Sequence, residues 1–244
     1  MKRGELLYSG KAKELYLTNN PLLCIQRFSN RATAFNGQKK SEIDNKGYYN
    51  NAISAFLLQY LEKQGVSTHF VGLLNETEML VRRVEIIPIE VVVRNIAAGS
   101  LCTRLGLKEG AKMEQPVIEW YYKSDALGDP LINDDHIASL DLAKEWELKE
   151  MRKLALKVND ILVPLFRTLD LVLVDYKLEC GRSGHGILIA DEISPDTCRI
   201  WDASSGQKLD KDRFRQDLGD VEAAYREVYD RLAEMFGEGE KNAR

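Results

Sequence analysis

The chain has 244 residues, with 34 Lys and Arg against 38 Asp and Glu for a net charge of −4; 44% is hydrophobic and 30% charged. That ordinary globular balance excludes a generalised nucleic-acid footprint but leaves room for a local basic pocket that takes a phosphorylated small molecule. Cys24, Cys102, Cys180 and Cys198 form no CxxC and His69, His136 and His185 no paired spacing, so a zinc site is not expected; the cysteines read as free thiols of a reducing compartment, the cytoplasm by default.

No apolar signal core follows Met1, and the most apolar later stretch, Ile86 to Val93, contains Pro88 and Glu90, so neither secretion nor membrane spanning is expected. Leu6-Leu7-Tyr8 and Leu15-Tyr16-Leu17 flank Ser9-Gly10-Lys11-Ala12-Lys13 and predict a hairpin with a glycine-containing tip. Leu22 to Phe28 reads as a third strand. Asp44 or Asn45 caps a predicted helix in which Ala52, Ile53, Phe56, Leu57, Tyr60 and Leu61 recur at helical spacing as far as Gly65, a face suited to packing on the hairpin sheet. Val66 to Leu74 and Met79 to Val93 are β-rich. Residues 1–84 therefore read as a small mixed N-terminal lobe and 85–244 as a larger C-terminal one.

In the second lobe the small-residue turn Ala97-Ala98-Gly99-Ser100 leads into a short helix that stops at Gly106. Residues 110–135 read mostly as loop, with Trp120-Tyr121-Tyr122 as a strand. Leu140 to Leu169 carries a long helical pattern that Pro164 is expected to kink or split. Leu171 to Cys180 and Gly186 to Glu192 read as strands joined by a five-residue connection, 181–185. A final helix puts Ala224, Tyr225, Val228, Leu232 and Met235 on one stripe, with fraying expected from Gly237.

The strongest chemical signal lies in Val174-Asp175-Tyr176-Lys177-Leu178-Glu179, because strand alternation puts Asp175, Lys177 and Glu179 on one face. With a five-residue connection Asp191 on the returning strand joins that face. Such carboxylates suit Mg²⁺ with phosphate oxygens, and Lys177 suits the phosphates; a solvated sheet face satisfies the same pattern equally. Gly10-Lys11-Ala12-Lys13 offers backbone amides and two lysines to a phosphate, or is an exposed basic turn; it is neither a Walker A loop nor a GxGxxG. Arg94, Ser100 and the free amides of a helix start form a candidate phosphate site, unless Arg94 pairs with Glu90. The turn Ser194-Pro195-Asp196 is placed to aim Asp196 and Arg199 over the Asp175 face, and Lys123-Ser124-Asp125 is a further polar candidate.

In chain order, YSGKAKELY (8–16), IIPIEVVVRNIAAGS (86–100), KSDALGDP (123–130), LVLVDYKLECG (171–181), DEISPDTCRIWD (191–202) and DKDRFRQDLG (210–219) resemble the motifs of the SAICAR synthetase family, nearly end to end. Two departures stand out: Cys180 replaces the aromatic residue usual after the glutamate, which bears on packing, and Asn36 lies where some relatives carry Asp. The resemblance implies an α+β, two-lobed fold with antiparallel sheets, distantly similar to ATP-grasp and protein-kinase folds. It implies ATP-dependent joining of L-aspartate to carboxyaminoimidazole ribonucleotide (CAIR), giving SAICAR, ADP and phosphate in purine biosynthesis. ATP is then a co-substrate, Mg²⁺ the metal, no nucleic acid or membrane is a partner, and a homodimer is expected.

By the same resemblance Gly10, Lys11, Ala12 and Lys13 lie over the ATP phosphates, and Arg82 to Ile87, including Ile86, passes the adenine. Glu179 and Asp191, assisted by Asp175, hold Mg²⁺, while Lys123 and Lys177 neutralise the migrating phosphoryl group. Arg94, Ser100 and Arg199 grip the ribonucleotide phosphate, with Asp196 at the imidazole. A small-molecule kinase and a nucleotide-binding regulatory module are the competing readings of the same residues.

Overall fold

The computed structural model describes residues 1–34, 37–184 and 186–242, so Asn36, residue 185 of the expected connection and the last two residues lie outside the described residues. Strands β1 (Arg3–Ser9) and β2 (Lys13–Thr18) form the expected hairpin, extended by β3 (Leu23–Phe28). A second hairpin, β4 (Arg31–Ala34) with β5 (Lys39–Glu42), is not legible in the sequence, since each strand has four residues and β5 is entirely polar.

Helix α1 (Lys46–Lys63) follows Asn45, which tolerates the left-handed backbone there (φ 57) but makes no side-chain cap. Its buried Ile53, Leu57, Leu58 and Leu61 pack on the sheet that contains the hairpin, as expected, chiefly against β3, β6 (Phe70–Leu73) and β7 (Glu78–Arg82). The first sheet has the order β1-β2-β3-β7-β6, and its edge strand β1 is exposed along its whole length.

β8 (Glu85–Ile96) opens the second sheet three residues after β7 ends. Helix α2 (Ser100–Leu105), β9 (Lys112–Tyr122), β10 (Leu131–Ile132), α3 (Asp134–Ser139), α4 (Glu145–Thr168), β11 (Leu171–Ser183), β12 (Gly186–Ala190), β13 (Cys198–Asp202), α5 (Asp212–Arg215) and α6 (Val221–Asn242) follow. The sheet order is β10-β9-β8-β11-β12, with β13 also paired to β11, all antiparallel. Backbone hydrogen bonds stitch the two sheets together: His69 N donates to Ile189 O (2.8 Å) and Ile189 N to Ser67 O (3.0 Å).

Two expectations change. Residues 110–135 are not mostly loop, because β9 is an eleven-residue strand paired along β8 from Ile89↔Tyr122 to Arg94↔Val117; Pro116, which argues against a strand in sequence, falls where the ladder breaks register. The long helix begins at Glu145 and runs unbroken through Pro164. Pro164 and Asp160 are both exposed, so water satisfies the carbonyl that proline frees, while buried Leu162, Leu165 and Phe166 hold the last turns on the core. The final helix, α6, runs from Val221 to Asn242.

α4 covers the back of the second sheet, where the Tyr176 hydroxyl donates to Ala155 O (2.8 Å), and α6 packs on α1 through aromatic pairs such as Phe56–Phe236 (centroids 5.2 Å). One continuous apolar core therefore joins residues of both sheets. Cys180 is buried in it, as the strand alternation requires. Replacing fully buried Leu162 with Ala leaves a cavity under the sheet; we expect a loss of about 2–5 kcal/mol in chemical denaturation.

Candidate active site

A cleft of about 710 Å³ lies between the sheets, floored by β11 and roofed by the β1–β2 tip. Strand alternation works as the sequence dictates: Asp175, Lys177 and Glu179 face the cleft, while Tyr176, Leu178 and Cys180 are almost fully buried. Across the ladder Glu179 sits opposite Glu90 of β8, two carboxylates that repel unless cations intervene. Lys177 Nζ donates to Glu90 Oε1 (2.5 Å) and lies 3.6 Å from Glu179, and Lys123 Nζ donates to Glu179 Oε1 (2.7 Å). Burial alone would lower the Lys177 pKa, but Glu179, Glu90 and Asp191 more than offset it and hold the ammonium charged.

At the other end of β11, Asp175 Oδ2 accepts from Arg94 (2.9 Å) and from Arg199 (2.8 Å). Arg94 does not pair with Glu90; it donates to Glu119 (2.6 Å) and also reaches Ser100 Oγ (3.3 Å) and Tyr121 Oη (3.1 Å). Arg94, Ser100 and Arg199 thus converge on one spot. Gly99 permits this, because its φ is +53 and a Cβ there would stand 2.3 Å from Arg199 Nη2. Asp175, expected to assist a metal, is held between two guanidinium groups.

Asp191 reaches the cleft by a different route from the one expected. β11 and β12 are joined by two residues, not five, and Glu179 pairs with Ala190; continued alternation would turn Asp191 to the apolar side. Asp191 leaves the strand with a left-handed backbone (φ 67) and swings back into the cleft, where Lys13 Nζ pairs with it and with Glu192 (2.7 Å). Burial would raise the Asp191 pKa, but Lys13 and Lys177 prevail and pull it down to about 2.

At the hairpin tip, Ala12 O accepts from Ser29 N (2.9 Å) and Ser29 Oγ (3.0 Å), Gly10 N donates to Lys13 O (2.8 Å), and Lys11 crosses the mouth of the cleft to Asp125 (2.8 Å). Arg82 and Ile86 line the cleft, but the Arg82 guanidinium turns away to Glu62 (3.1 Å) and to the carbonyls of Thr68 and Phe70. Gly181 keeps this crossing tight: a Cβ there would lie 2.3 Å from Val84 Cγ2. Asp196 lines the same cleft as Asp175 and Arg199. It is buried against Lys46 (2.5 Å) and accepts from the Tyr225 hydroxyl (2.8 Å), because α1 brings Lys46 under the turn.

Lys46, Glu119, Glu192, Lys211, Arg215 and Tyr225 were not singled out as site residues in the sequence. Glu192 had a signal in its adjacency to Asp191; Lys46 had none, since a lysine at a helix start reads as solvated. Among the described residues no group of three or more His, Cys, Asp or Glu is arranged to hold a metal ion. Asp175, Glu179 and Asp191 therefore form no preassembled cage. Glu179 and Asp191 nevertheless fit Mg²⁺ in kind: they are hard oxygen donors, both acting on Lys13, Lys123 and Lys177, and Mg²⁺ normally uses one or two carboxylates together with substrate phosphates.

Two antiparallel lobes around a lysine–carboxylate cluster and an arginine pair define a two-lobed α+β enzyme cleft for anionic small molecules. The chain belongs to the SAICAR synthetase family, whose model matches residues 6–232. It is 53% identical over 236 residues to the phosphoribosylaminoimidazole-succinocarboxamide synthase of Desulfitobacterium hafniense strain Y51, covering 97% of this chain and 99% of that protein. The crystal structure of the synthase from Ehrlichia chaffeensis superposes with a TM-score of 0.91 at 47% identity, covering 93% of this chain and 98% of that one. A SAICAR synthetase solved in complex with ADP gives 0.91 at 44% identity, covering 94% and 98%.

The depressed Asp191 pKa makes stability pH-dependent with a definite sign. Its contribution is complete above about pH 4, the unfolded carboxylate value, and is lost as pH falls toward 2. Asp191→Asn is expected to flatten the acid limb of a stability–pH profile in that window. Replacing Lys46 with Met strands the Asp196 carboxylate in the interior; denaturation should show a loss of about 3–5 kcal/mol.

Proposed function

We infer that this chain is an ATP-dependent carbon–nitrogen ligase of purine biosynthesis that joins the L-aspartate amine to the CAIR carboxylate, giving SAICAR, ADP and phosphate. The observation that carries this reading is membership of the family over nearly the whole chain, together with a cleft whose charged residues divide into two anion-binding ends. ATP use is supported by the relative solved with ADP.

A carboxylate is a poor electrophile, so the γ-phosphoryl group of ATP is first transferred to a CAIR carboxylate oxygen and ADP leaves. The aspartate amine then attacks the acyl carbon, its proton is lost to solvent or a nearby base, and phosphate departs. Lys13, Lys123 and Lys177 supply the positive charge that orients and stabilises the transferring group. Gly10, Lys11 and Ala12 cover the nucleotide phosphates, and the 82–87 crossing borders the base. Glu179 and Asp191 would hold Mg²⁺, which would neutralise phosphate charge. Arg94, Ser100 and Arg199 take the CAIR 5′-phosphate, with Asp175 holding both guanidinium groups in place; this is where Asp175 acts in place of the metal role expected for it.

The lobes divide near residue 84, where one sheet ends and the other begins. No helix among the described residues is long and apolar enough to cross a membrane, and a cytoplasmic location is part of the proposal. A homodimer is also proposed, supported by exposed Leu6, Leu7 and Tyr8 on edge strand β1; light scattering tests it.

Incubation with ATP, Mg²⁺ and CAIR should give SAICAR by mass only when L-aspartate is present. A stable phosphorylated product formed without aspartate would establish the kinase reading instead. Glu179→Gln should lower kcat by about 10²–10³-fold with the melting temperature retained. Arg94→Lys keeps the charge but loses the fork, and should raise the KM for CAIR about tenfold while that for ATP changes by less than about twofold.

A further inference from the structure

Every buried carboxylate among the described residues stands in an ion pair except Asp210, which is fully buried. It lies in the segment between β13 and α5, outside the residues that line the cleft. A buried carboxylate with no cation of its own needs hydrogen-bond donors instead, and Asp210 draws them from two separate elements.

Its Oδ2 accepts from Ile200 N (2.8 Å) and its Oδ1 from Asp212 N (2.7 Å). Ile200 follows Arg199 in β13, and the Asp212 carboxylate accepts in turn from Arg199 Nε (2.7 Å). These bonds close a ring: the strand that carries Arg199 is tied to Asp210, Asp210 to the start of α5, and Asp212 at that start back to the Arg199 guanidinium. Leu209 N, donating to Ile200 O (2.7 Å), anchors the strand side of the ring. Arg199 also donates to Asp175 (2.8 Å), so its planar fork is held in one orientation.

The ring has one member that titrates. Burial and the like charge of Asp212 outweigh the two N–H donors and Arg199, and push the Asp210 carboxyl up to about 7. The groups that face it are Arg199 from β13, Asp212 from α5 and Tyr225 from α6, whose hydroxyl is given to Asp196 (2.8 Å). Lys211, next in the chain, has Asp196 as its acidic neighbour at 3.9 Å. The ionised carboxylate accepts both N–H groups. A proton on either oxygen turns an acceptor into a donor that faces an N–H, and one of the two bonds is lost.

We propose that Asp210 is a positioning residue for the Arg199 end of the cleft: as a carboxylate it closes the ring and holds the guanidinium for the ribonucleotide phosphate, and its protonation opens the ring and loosens that grip. This rests on the reading above that Arg199 takes the CAIR phosphate. Asp210 touches no substrate and acts only through Arg199 and Asp212.

The experiment compares the wild type with Asp210→Asn between about pH 6 and pH 8, varying CAIR and ATP in turn. The amide keeps one acceptor and opens the other bond at every pH. Both proteins meet the same substrate ionisations, so the ratio of their KM values isolates the proton on Asp210. For CAIR that ratio should rise from less than about twofold at pH 6 to about tenfold at pH 8, while for ATP it stays below about twofold throughout. A CAIR ratio that is constant with pH, or that falls, overturns the proposal, because a merely structural loss has no such dependence. If Asp210→Asn fails to fold, carbon-13 NMR of the wild type with labelled aspartate carboxyls decides. One resonance should titrate near pH 7 and shift when sulfate, whose charge is constant over this range, is added; the absence of such a resonance overturns the proposal. A wild type that makes no SAICAR overturns the ligase reading, and the sulfate arm alone then upholds or overturns the coupling of Asp210 to Arg199.

Discussion

A buried strand cannot carry Asp175, Lys177 and Glu179 on one face unless every charge is answered, and that constraint organises the molecule around β11. Its neighbour β8 adds a further carboxylate, Glu90, directly opposite Glu179. Isolated in the interior these groups would carry a large desolvation penalty. The fold meets that penalty by bringing cations from distant parts of the chain: Lys13 from the first hairpin, Lys123 from the segment after β9, Arg94 from β8 and Arg199 from β13. Removing Lys13 leaves Asp191 without its ion pair, whereas Asp175 keeps one guanidinium when the other is lost and Glu179 keeps Lys177 at 3.6 Å when Lys123 is lost.

The same pairing accounts for how the lobes are joined. Lys13 belongs to the first sheet and Asp191 to the end of the second, and the stitch between Ser67, His69 and Ile189 holds them within reach. Lys11 with Asp125 adds an exposed contact across the mouth, worth little in stability because water screens it. The deep pairs set the geometry, and the exposed pair is the one that a ligand can exchange at low cost.

The two anion-binding ends differ in chemistry in a way that fits the proposed reaction. Lysines dominate the end beneath the hairpin tip, where compact, mobile charges suit a phosphoryl group that changes position. Arginines dominate the far end, where planar forks fix a phosphate that must stay put while the reaction proceeds. Arg215 lies next to the fixed end through Asp212, which it shares with Arg199.

The alternation of Asp175, Lys177 and Glu179, the glycine-containing tip with Lys11 and Lys13, and the strand-to-turn passage from Arg94 to Ser100 were legible in the sequence, because each depends only on local periodicity or turn chemistry. The six motifs carried the family in the same way. Tertiary structure decided what local rules do not reach. It set the parity of the β11–β12 pairing and hence the need for a left-handed Asp191, and made residues 112–122 a strand through pairing with β8 despite Pro116. It placed Asp196 against Lys46 from a helix 150 residues away in sequence. Side-chain facing repeats within a few residues of chain, whereas the partner of a buried charge is fixed only when the sheets and helices have packed.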